Sequence, residues 1–501
     1  MTSATTPAPP TSEDVALAAR NRLVITILIV SAFVVILNET LMGVAIPSLI
    51  EAFDITASLA QWLTTAFMLT LAIVIPMSGF LLQRFQTRPV FVTAMALFTL
   101  GTLIGALAPT FPVLLVARVV QASGTAIMMP LLFTTVFALV PPDRRGRVIG
   151  LVSTVIAVAP AVGPSLSGLI LSVADWRWLF IVMIPLALAA LILGGRQVVN
   201  VGELRPGRLD VLSVALSVPA FGGIVWGLAE LGESGNGTDA TPAIIALVIG
   251  AIALALFAWR QIVLQRIDGA LLDLRTFAQR QFALSIIIIS IASMALFGAI
   301  ILLPLYAQDV LGATPLLSGL IILPGALLQG LIAPWVGNRY DKVGPTTLIV
   351  PGAALLSGSL WGMTFLTDST PLWVVAIANI GISLGLALLF TPLITNGMSA
   401  LAPHLNSHGS AIVGTIQQVA GAAGIALFIS VAAAAGGVPA AGASITIEGV
   451  HAALMVGAAI ATLTIPAVFL VKRTVGGAPH TAPDAAAAAG GSAEPVVPAA
   501  H

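Results

Sequence analysis

Fourteen apolar runs, separated by short polar stretches, constrain this chain more than any other feature. A helix that crosses a lipid bilayer needs about 20 mostly apolar residues. The candidate runs fall at 23–47, 60–82, 89–109, 112–135, 147–172, 178–195, 211–231, 242–262, 282–306, 315–337, 346–366, 371–395, 410–434 and 449–471. The sixth is short, and the seventh runs into the glycine-rich stretch GLAELGESGNG. Only 8% of the 501 residues are charged, against 58% hydrophobic, and the mean hydropathy is +1.08. A soluble domain carries about a quarter charged residues. Within lipid every backbone polar group needs a partner inside the protein, which leaves helices or closed barrels. Runs of this length and uniform apolarity predict an all-α integral membrane protein with 14 transmembrane helices.

Lysine and arginine favour the cytoplasmic ends of spanning helices. With fourteen helices and the N-terminus inside, all of the 20 Lys and Arg residues except Arg118 and Arg177 fall on the cytoplasmic side. Arg84, Arg88, Arg144, Arg145 and Arg147 are among them. The opposite loops and helix ends hold Glu51, Asp54, Asp175, Asp239, Asp309 and Asp368. The expectation is a multi-pass protein of the cytoplasmic membrane with both termini cytoplasmic. The N-terminal stretch, polar and proline-rich, lacks the apolar core and small-residue cleavage site of a signal peptide. Residues 1–22 and the Ala/Gly/Pro-rich residues 472–501 are expected to be disordered tails. The chain has no cysteine, which excludes disulfides, thiolate metal sites and cysteine nucleophiles. A formal net charge of zero and the absence of a long basic run give no sign of nucleic-acid binding.

Two loops on the cytoplasmic side resemble each other: GFLLQRFQTRP, Gly79 to Pro89, and GNRYDKVGP, Gly337 to Pro345. Each starts with glycine at a helix end and turns through basic residues. In the second, Asp341 can cap a helix end or pair with Arg339 or Lys342, and Gly344 can take the turn. The loops follow helices two and ten, eight apart, whereas a six-helix repeat would place them six apart. Two helices are therefore inserted between the halves. The organisation expected is a six-helix bundle over 23–195, a linker over 196–281 carrying inserted helices seven and eight, and a second six-helix bundle over 282–471.

These loops resemble the G-x-L-x-D-R-x-G-R signature of the major facilitator superfamily, on Gly79 and Arg84 in the first copy and on Gly337 and Asp341 in the second. The first copy has Gln83 and Gln86 where the family has Asp and Gly. In helix four, RVVQASGTAIMMP is similar to the family's R-x-x-Q-G-x-G motif through Arg118 and Gln121. In helix five, APAVGPSLSG is similar to the antiporter signature G-x-x-x-G-P-x-x-G-G through Gly163, Pro164 and Gly168. DWRWLF, 175–180, resembles the W-R-W-I-F block of the fourteen-helix drug:proton antiporters, and LNETLMGVAIP their first-helix pattern. Asn38 takes the position of that pattern's Asp, with Glu39 one place later, a form similar to the lincomycin-resistance-type branch. The resemblance covers roughly 23–471. It implies the major facilitator fold and secondary transport rather than enzymatic activity. It also implies proton-coupled efflux of hydrophobic or cationic drugs by alternating access, with no cofactor beyond the proton motive force. Alternatives are export of one endogenous metabolite or lipid, or a sensor that keeps the fold without transport. The partners expected are a small amphipathic substrate, protons and the lipid bilayer, with no nucleic acid, and the chain is expected to act as a monomer.

The individual residues have physical readings of their own. Arg118 is the only arginine or lysine well inside one of the fourteen runs, Arg147 and Arg260 standing at run ends, and Glu39 is the only acidic residue well inside one. An arginine at the hydrocarbon centre costs at least about 2.5–3.5 kcal/mol. It should face the interior and find an acceptor, unless it snorkels to the headgroups. Both residues lie about 9–12 Å from the same membrane face at 1.5 Å per residue, which permits a Glu39–Arg118 pair or a water-linked network. A carboxyl there could take up a proton when dry and release it when wetted, or serve as structural glue between helices one and four. Standing one residue beyond the family's acidic position turns it about 100° around the helix. On helix five, Gly163 and Gly168 would allow close backbone approach, and Pro164 removes a backbone donor. Candidates for the substrate cavity are Asn38, Met42 (about one turn from Glu39), Gln61, Gln121 and Gln418. Asn379 and Asn396 read as single interhelical hydrogen bonds. His404 and His408 have the i, i+4 spacing of metal ligands on a helix, but APHLNSHGS reads as a solvated loop, and no metal site is expected.

Overall fold

The computed structural model describes residues 12–201, 210–234, 239–436 and 445–474. All regular structure among them is helical, and fourteen helices are long and apolar enough to cross a membrane. They are α1 Ser12–Phe53, α2 Ala57–Arg84, α3 Thr87–Ala106, α4 Phe111–Leu139, α5 Arg145–Leu171, α6 Trp178–Gln197 and α7 Val211–Leu231. Then come α8 Thr241–Leu264, α9 Arg280–Leu305, α10 Pro315–Val343, α11 Thr346–Met363, α12 Leu372–Ser399, α13 Asn406–Gly436 and α14 Ile447–Val468. Several start where a polar side chain accepts from the first turn. Thr56 accepts from the Leu59 amide, Asp210 from Ser213, Thr314 from Leu317 and Thr446 from Gly449. Each satisfies an amide that the helix leaves without a partner.

The sequence expectation for the N-terminal tail fails in part. Residues 12–22 belong to α1, which runs for 42 residues to Phe53, about 63 Å at 1.5 Å per residue. Ala, Leu and Arg in SEDVALAARNR are good helix formers, and no glycine or proline interrupts the entry into the apolar run. The helix stops where Asp54 takes a left-handed backbone conformation (φ 50°). α6 is a full 20-residue span because the WLF segment forms its first turn. The GLAELGES stretch is helical to Ser234, after a wide turn at Val218–Gly222 that contains Pro219. Residues 1–11 and 475–501 lie outside the described residues, so most of both predicted tails is not described.

α1 to α6 pack on one another, chiefly through the pairs α3–α4, α2–α4, α1–α5 and α3–α6. α9 to α14 form a second group through α10–α12, α11–α12, α9–α13 and α13–α14. α7 and α8 pair with each other, and α7 lies against α2 and α13, across the boundary of the two groups. The ends of α7 and α8 are tied by Asp210, whose carboxylate receives both Arg260 Nε and Nη2 at 2.6 Å.

The two groups meet along α5–α10 and α2–α13. On the first line Gly146 faces Gly337 and Gly150 faces Ala333, backbone against backbone. Thr154 Oγ1 then donates to the Gly330 carbonyl at 2.7 Å. On the second line Gly79 packs against His408 and Ala411, and Gln83 Nε2 donates to the His404 carbonyl at 2.6 Å. Thr134–Ser410 (3.0 Å) and Ser153–Thr391 (2.9 Å) hydrogen bonds join the lines. An even number of crossings places the two ends of the chain on one side. All these contacts lie between that side and mid-depth.

Candidate functional site

Arg118 is 1% exposed, although it carries a charge in the middle of an apolar helix. Three helices supply its surroundings. Its Nη1 donates to Gln121 Oε1 one turn further along α4, at 2.7 Å, and reaches Asn38 Oδ1 on α1 at 3.5 Å. Gln121 Nε2 donates in turn to Thr102 Oγ1 on α3 at 2.9 Å. The guanidinium lies over the Phe67 ring of α2, 4.0 Å from its centroid, a cation–π contact that strengthens when water is excluded. The i, i+3 register of Arg118 and Gln121 puts both on the interior face of α4, and snorkelling does not occur.

Glu39 and Arg118 do not form the direct pair that was one of the two arrangements their shared depth permits. Among the described residues Glu39 makes no hydrogen bond and no ion pair within 4.0 Å. Asn38, at the place where the resembled family carries its acid, is the α1 residue that touches Arg118. One residue along a helix is about 100° of rotation, and that rotation takes the Glu39 carboxylate off the network. It remains half-buried beside it.

The glycines divide by their neighbours. A Cβ on Gly163 would overlap Thr40 of α1, next to Glu39, so this glycine lets α5 close on α1. Gly168 has nothing within 4 Å of such an atom, and its expected packing role is not seen. α5 stays helical through Pro164, which is exposed. Gly344 turns the chain between α10 and α11 with φ 80°, a conformation that favours glycine.

The remaining expectations scatter. Met42 is 2% exposed, packed in an apolar cluster with Phe111, Trp176 and Phe180. Gln61 is exposed near the start of α2. Gln418 reaches the Met68 sulfur at 3.9 Å, across the α2–α13 line. Arg84 is exposed on the last turn of α2. Asn379 and Asn396 make interhelical or helix-to-tail hydrogen bonds, to Ile322 and Lys472 carbonyls respectively. Asp341 pairs with neither Arg339 nor Lys342: its two oxygens accept from the Gly146 and Arg147 amides, at 2.8 and 2.9 Å, capping α5 in the other half of the molecule. His404 is exposed in the short turn Pro403–Leu405, in keeping with a solvated loop, whereas His408 is 3% exposed in the first turn of α13. No group of three or more metal-ligating side chains occurs among the described residues. Phe67 and Thr102 complete the arginine network. Phe67 carries no sequence signal beyond apolarity, whereas Thr102 could have been marked as a polar residue within a span.

A sequence profile described as Major Facilitator Superfamily matches residues 28–425. The chain belongs to the major facilitator superfamily. It is 40% identical over 459 residues to an uncharacterized MFS-type transporter, YcnB, of Bacillus subtilis, covering 90% of this chain and 96% of that one. It is 37% identical over 411 residues to the lincomycin resistance protein LmrB of Listeria monocytogenes, covering 82% and 86%. Against a multidrug resistance protein B homolog of Mycobacterium tuberculosis the identity is 31% over 397 residues, covering 78% and 72%. The fold is shared with the human organic anion transporter MFSD10, at a TM-score of 0.60 and 14% identity over 90% of this chain and 99% of that one. The protein is thus a multi-pass membrane transporter of small molecules rather than an enzyme. As a superfamily member it carries its two look-alike loops at equivalent places, each beside the start of a helix in the opposite group. The second copy caps that helix with a carboxylate. The first uses the neutral Gln83, which donates a hydrogen bond instead.

Proposed function

We propose that this transporter exports hydrophobic or cationic drugs across the cytoplasmic membrane in exchange for protons, as a monomer with both termini in the cytoplasm. The observation that carries the reading is Glu39, an acid without a hydrogen-bonding partner among the described residues, held half-buried beside the Asn38–Arg118–Gln121–Thr102 network. A carboxyl takes up a proton when dry and gives it up when water or a cation reaches it. A half-buried carboxyl with free lone pairs can accept either a proton or the cationic end of a substrate, and competition between the two is the minimum requirement for exchange. Asn38, Gln121 and Gln418 are the polar residues we assign to the substrate path. Met42 is left out of that path because it is packed in an apolar cluster.

The seam supports alternating access. Contacts between the halves close the side of the chain termini, and the arginine network lies in the opposite half. The concentration of basic residues at the termini side supports a cytoplasmic assignment of that side, and with it an outward-facing reading of the closed seam. The names of the relatives from Listeria and Mycobacterium support drugs as the substrate class. No cofactor is required, because the proton gradient supplies the driving force.

The test uses purified protein in liposomes with an imposed proton gradient and a cationic dye. Wild type should move dye with the gradient, and Glu39→Gln should bind dye but lose gradient-driven movement. Equal transport by both would remove Glu39 from coupling. Absence of dye movement by wild type, with gradient-driven flux of another solute, would remove the drug reading.

A further inference from the structure

On the outer wall of the second helix group, α10 and α11 both lie along α12 but scarcely touch each other. The turn at Gly344 joins them only at the termini side, so they splay. The groove between them has a volume of about 430 Å³. Its floor is Leu384 and Leu388 of α12, and its walls include Trp335, Pro351 and Leu355. Arg339 and Thr347 stand at its termini-side end. Leu331 (74% exposed), Trp335 (56% exposed) and Arg339 follow one another at i, i+4 spacing, so one stripe of α10 carries two apolar side chains and then a cation.

The stripe faces lipid. α10 has 29 residues, about 43 Å, against a hydrocarbon thickness of about 30 Å. Its last turns therefore reach the headgroup layer, and Trp335 sits where aromatic side chains gather at that boundary. Arg339 is one turn beyond. Among the described residues it has no hydrogen bond and no ion pair, and the nearby acid, Asp341, is fully used on α5. Arg339 and Asp341 stand two positions apart, or about 200° of helix. One face of the loop motif thus closes the seam while the other presents an uncompensated guanidinium to the membrane. A planar guanidinium suits a phosphate with two parallel hydrogen bonds.

We propose that this groove binds one anionic phospholipid, its phosphate on Arg339 and Thr347 and an acyl chain along Trp335, Leu355, Leu384 and Leu388. The proposal does not depend on the substrate or on proton coupling.

The test is native mass spectrometry of the delipidated full-length chain with phosphatidylglycerol or phosphatidylcholine of identical acyl chains. Wild type should retain a single phosphatidylglycerol in preference to phosphatidylcholine. Arg339→Gln should cut that preference about tenfold, the loss of one charge-assisted contact, and Arg339→Lys should keep part of it. Leu355→Trp fills the groove from an exposed position and should displace both lipids. No preference in wild type, or an undiminished preference in Arg339→Gln or Leu355→Trp, overturns the proposal. So does a wild-type dimer that Leu355→Trp converts to monomer, which would place a second copy in the groove. A chain ending at Thr474 that gains lipid absent from the full chain would also overturn it, by assigning the groove to residues 475–501.

Discussion

Replacing Asp341 by alanine should open the termini side of the transporter. Asp341 caps α5 from across the seam, with hydrogen bonds of 2.8 and 2.9 Å to the Gly146 and Arg147 amides. A hydrogen bond to a charged group contributes about 1.5–3 kcal/mol when it must be broken, and a negative charge at a helix N-terminus about 0.3–1 kcal/mol. Asp341 is half-buried and water replaces its partners once the seam parts, so the net loss is near the low end, about 2 kcal/mol. That is about a 30-fold shift in the equilibrium between closed and open seam. The fold should survive, because the carboxylate holds α10 to α5 rather than building either helix. The chain has no cysteine, so two can be introduced for spin labels at the exposed positions Arg144 and Lys342, on opposite sides of the seam. Pulsed electron resonance should show mostly short separations in the parent protein and a substantial long-distance population in Asp341→Ala. Asp341→Asn, which keeps one acceptor, should fall between. An unchanged distance distribution in Asp341→Ala would refute the clasp and leave the glycine contacts to hold the seam alone.

Those contacts make a prediction of their own: a methyl on Gly337 would overlap the Gly146 carbonyl oxygen, backbone that cannot rotate away, so Gly337→Ala should also populate the long distance. On α5, Gly163→Ala collides with Thr40 and should lower the melting temperature in detergent, while Gly168→Ala, in open space, should change stability by less than about 0.5 kcal/mol. In the arginine network, Gln121→Leu strips Arg118 of its short hydrogen bond and should cost about 1–3 kcal/mol. Asn38→Ala, losing only a 3.5 Å contact, should cost less, and the reverse order of melting temperatures would show that α1 anchors the arginine. Hydrogen bonds from Arg260 hold the Asp210 carboxyl well below the usual carboxylate range. A depressed acid stabilises the fold fully above its unfolded value, about 3.9, and loses that contribution as pH falls toward the folded value. Melting of the parent should therefore drop on acidification below about pH 4, and Asp210→Asn should remove part of that drop.

The fourteen crossings were legible in the chain because hydropathy in a membrane protein records the solvent of each segment directly. The position of the motifs was legible for a related reason: glycine at a helix end and a charge inside an apolar run have few physical excuses. What a linear reading could not supply is which way a side chain points and what lies opposite. Whether Asn38 or Glu39 touches Arg118 depends on about 100° of rotation of α1, set by how that helix packs on α4 and α5. Thr40 against Gly163 is part of that packing. Met42 faces aromatic residues of α4, α6 and the adjoining turn for the same reason.

The partner of Asp341 was beyond reach because it lies 194 to 195 residues away, across a boundary between two helix groups. A carboxylate next to Arg339 and Lys342 reads locally as a surface ion pair, and such pairs are weak in water. Two backbone amides at the start of α5 compete better, being fixed in place and aligned with the helix dipole. His408 was misread similarly: its neighbours in sequence are polar, yet Gly79 on α2 leaves a gap that its ring fills. The chain alone thus determined that this protein crosses a membrane, how many times, and which family it resembles, since those properties are sums over local composition and spacing. The tertiary structure alone decided which charges meet, because contacts between helices depend on azimuth and depth, and neither is written in the order of residues along one helix.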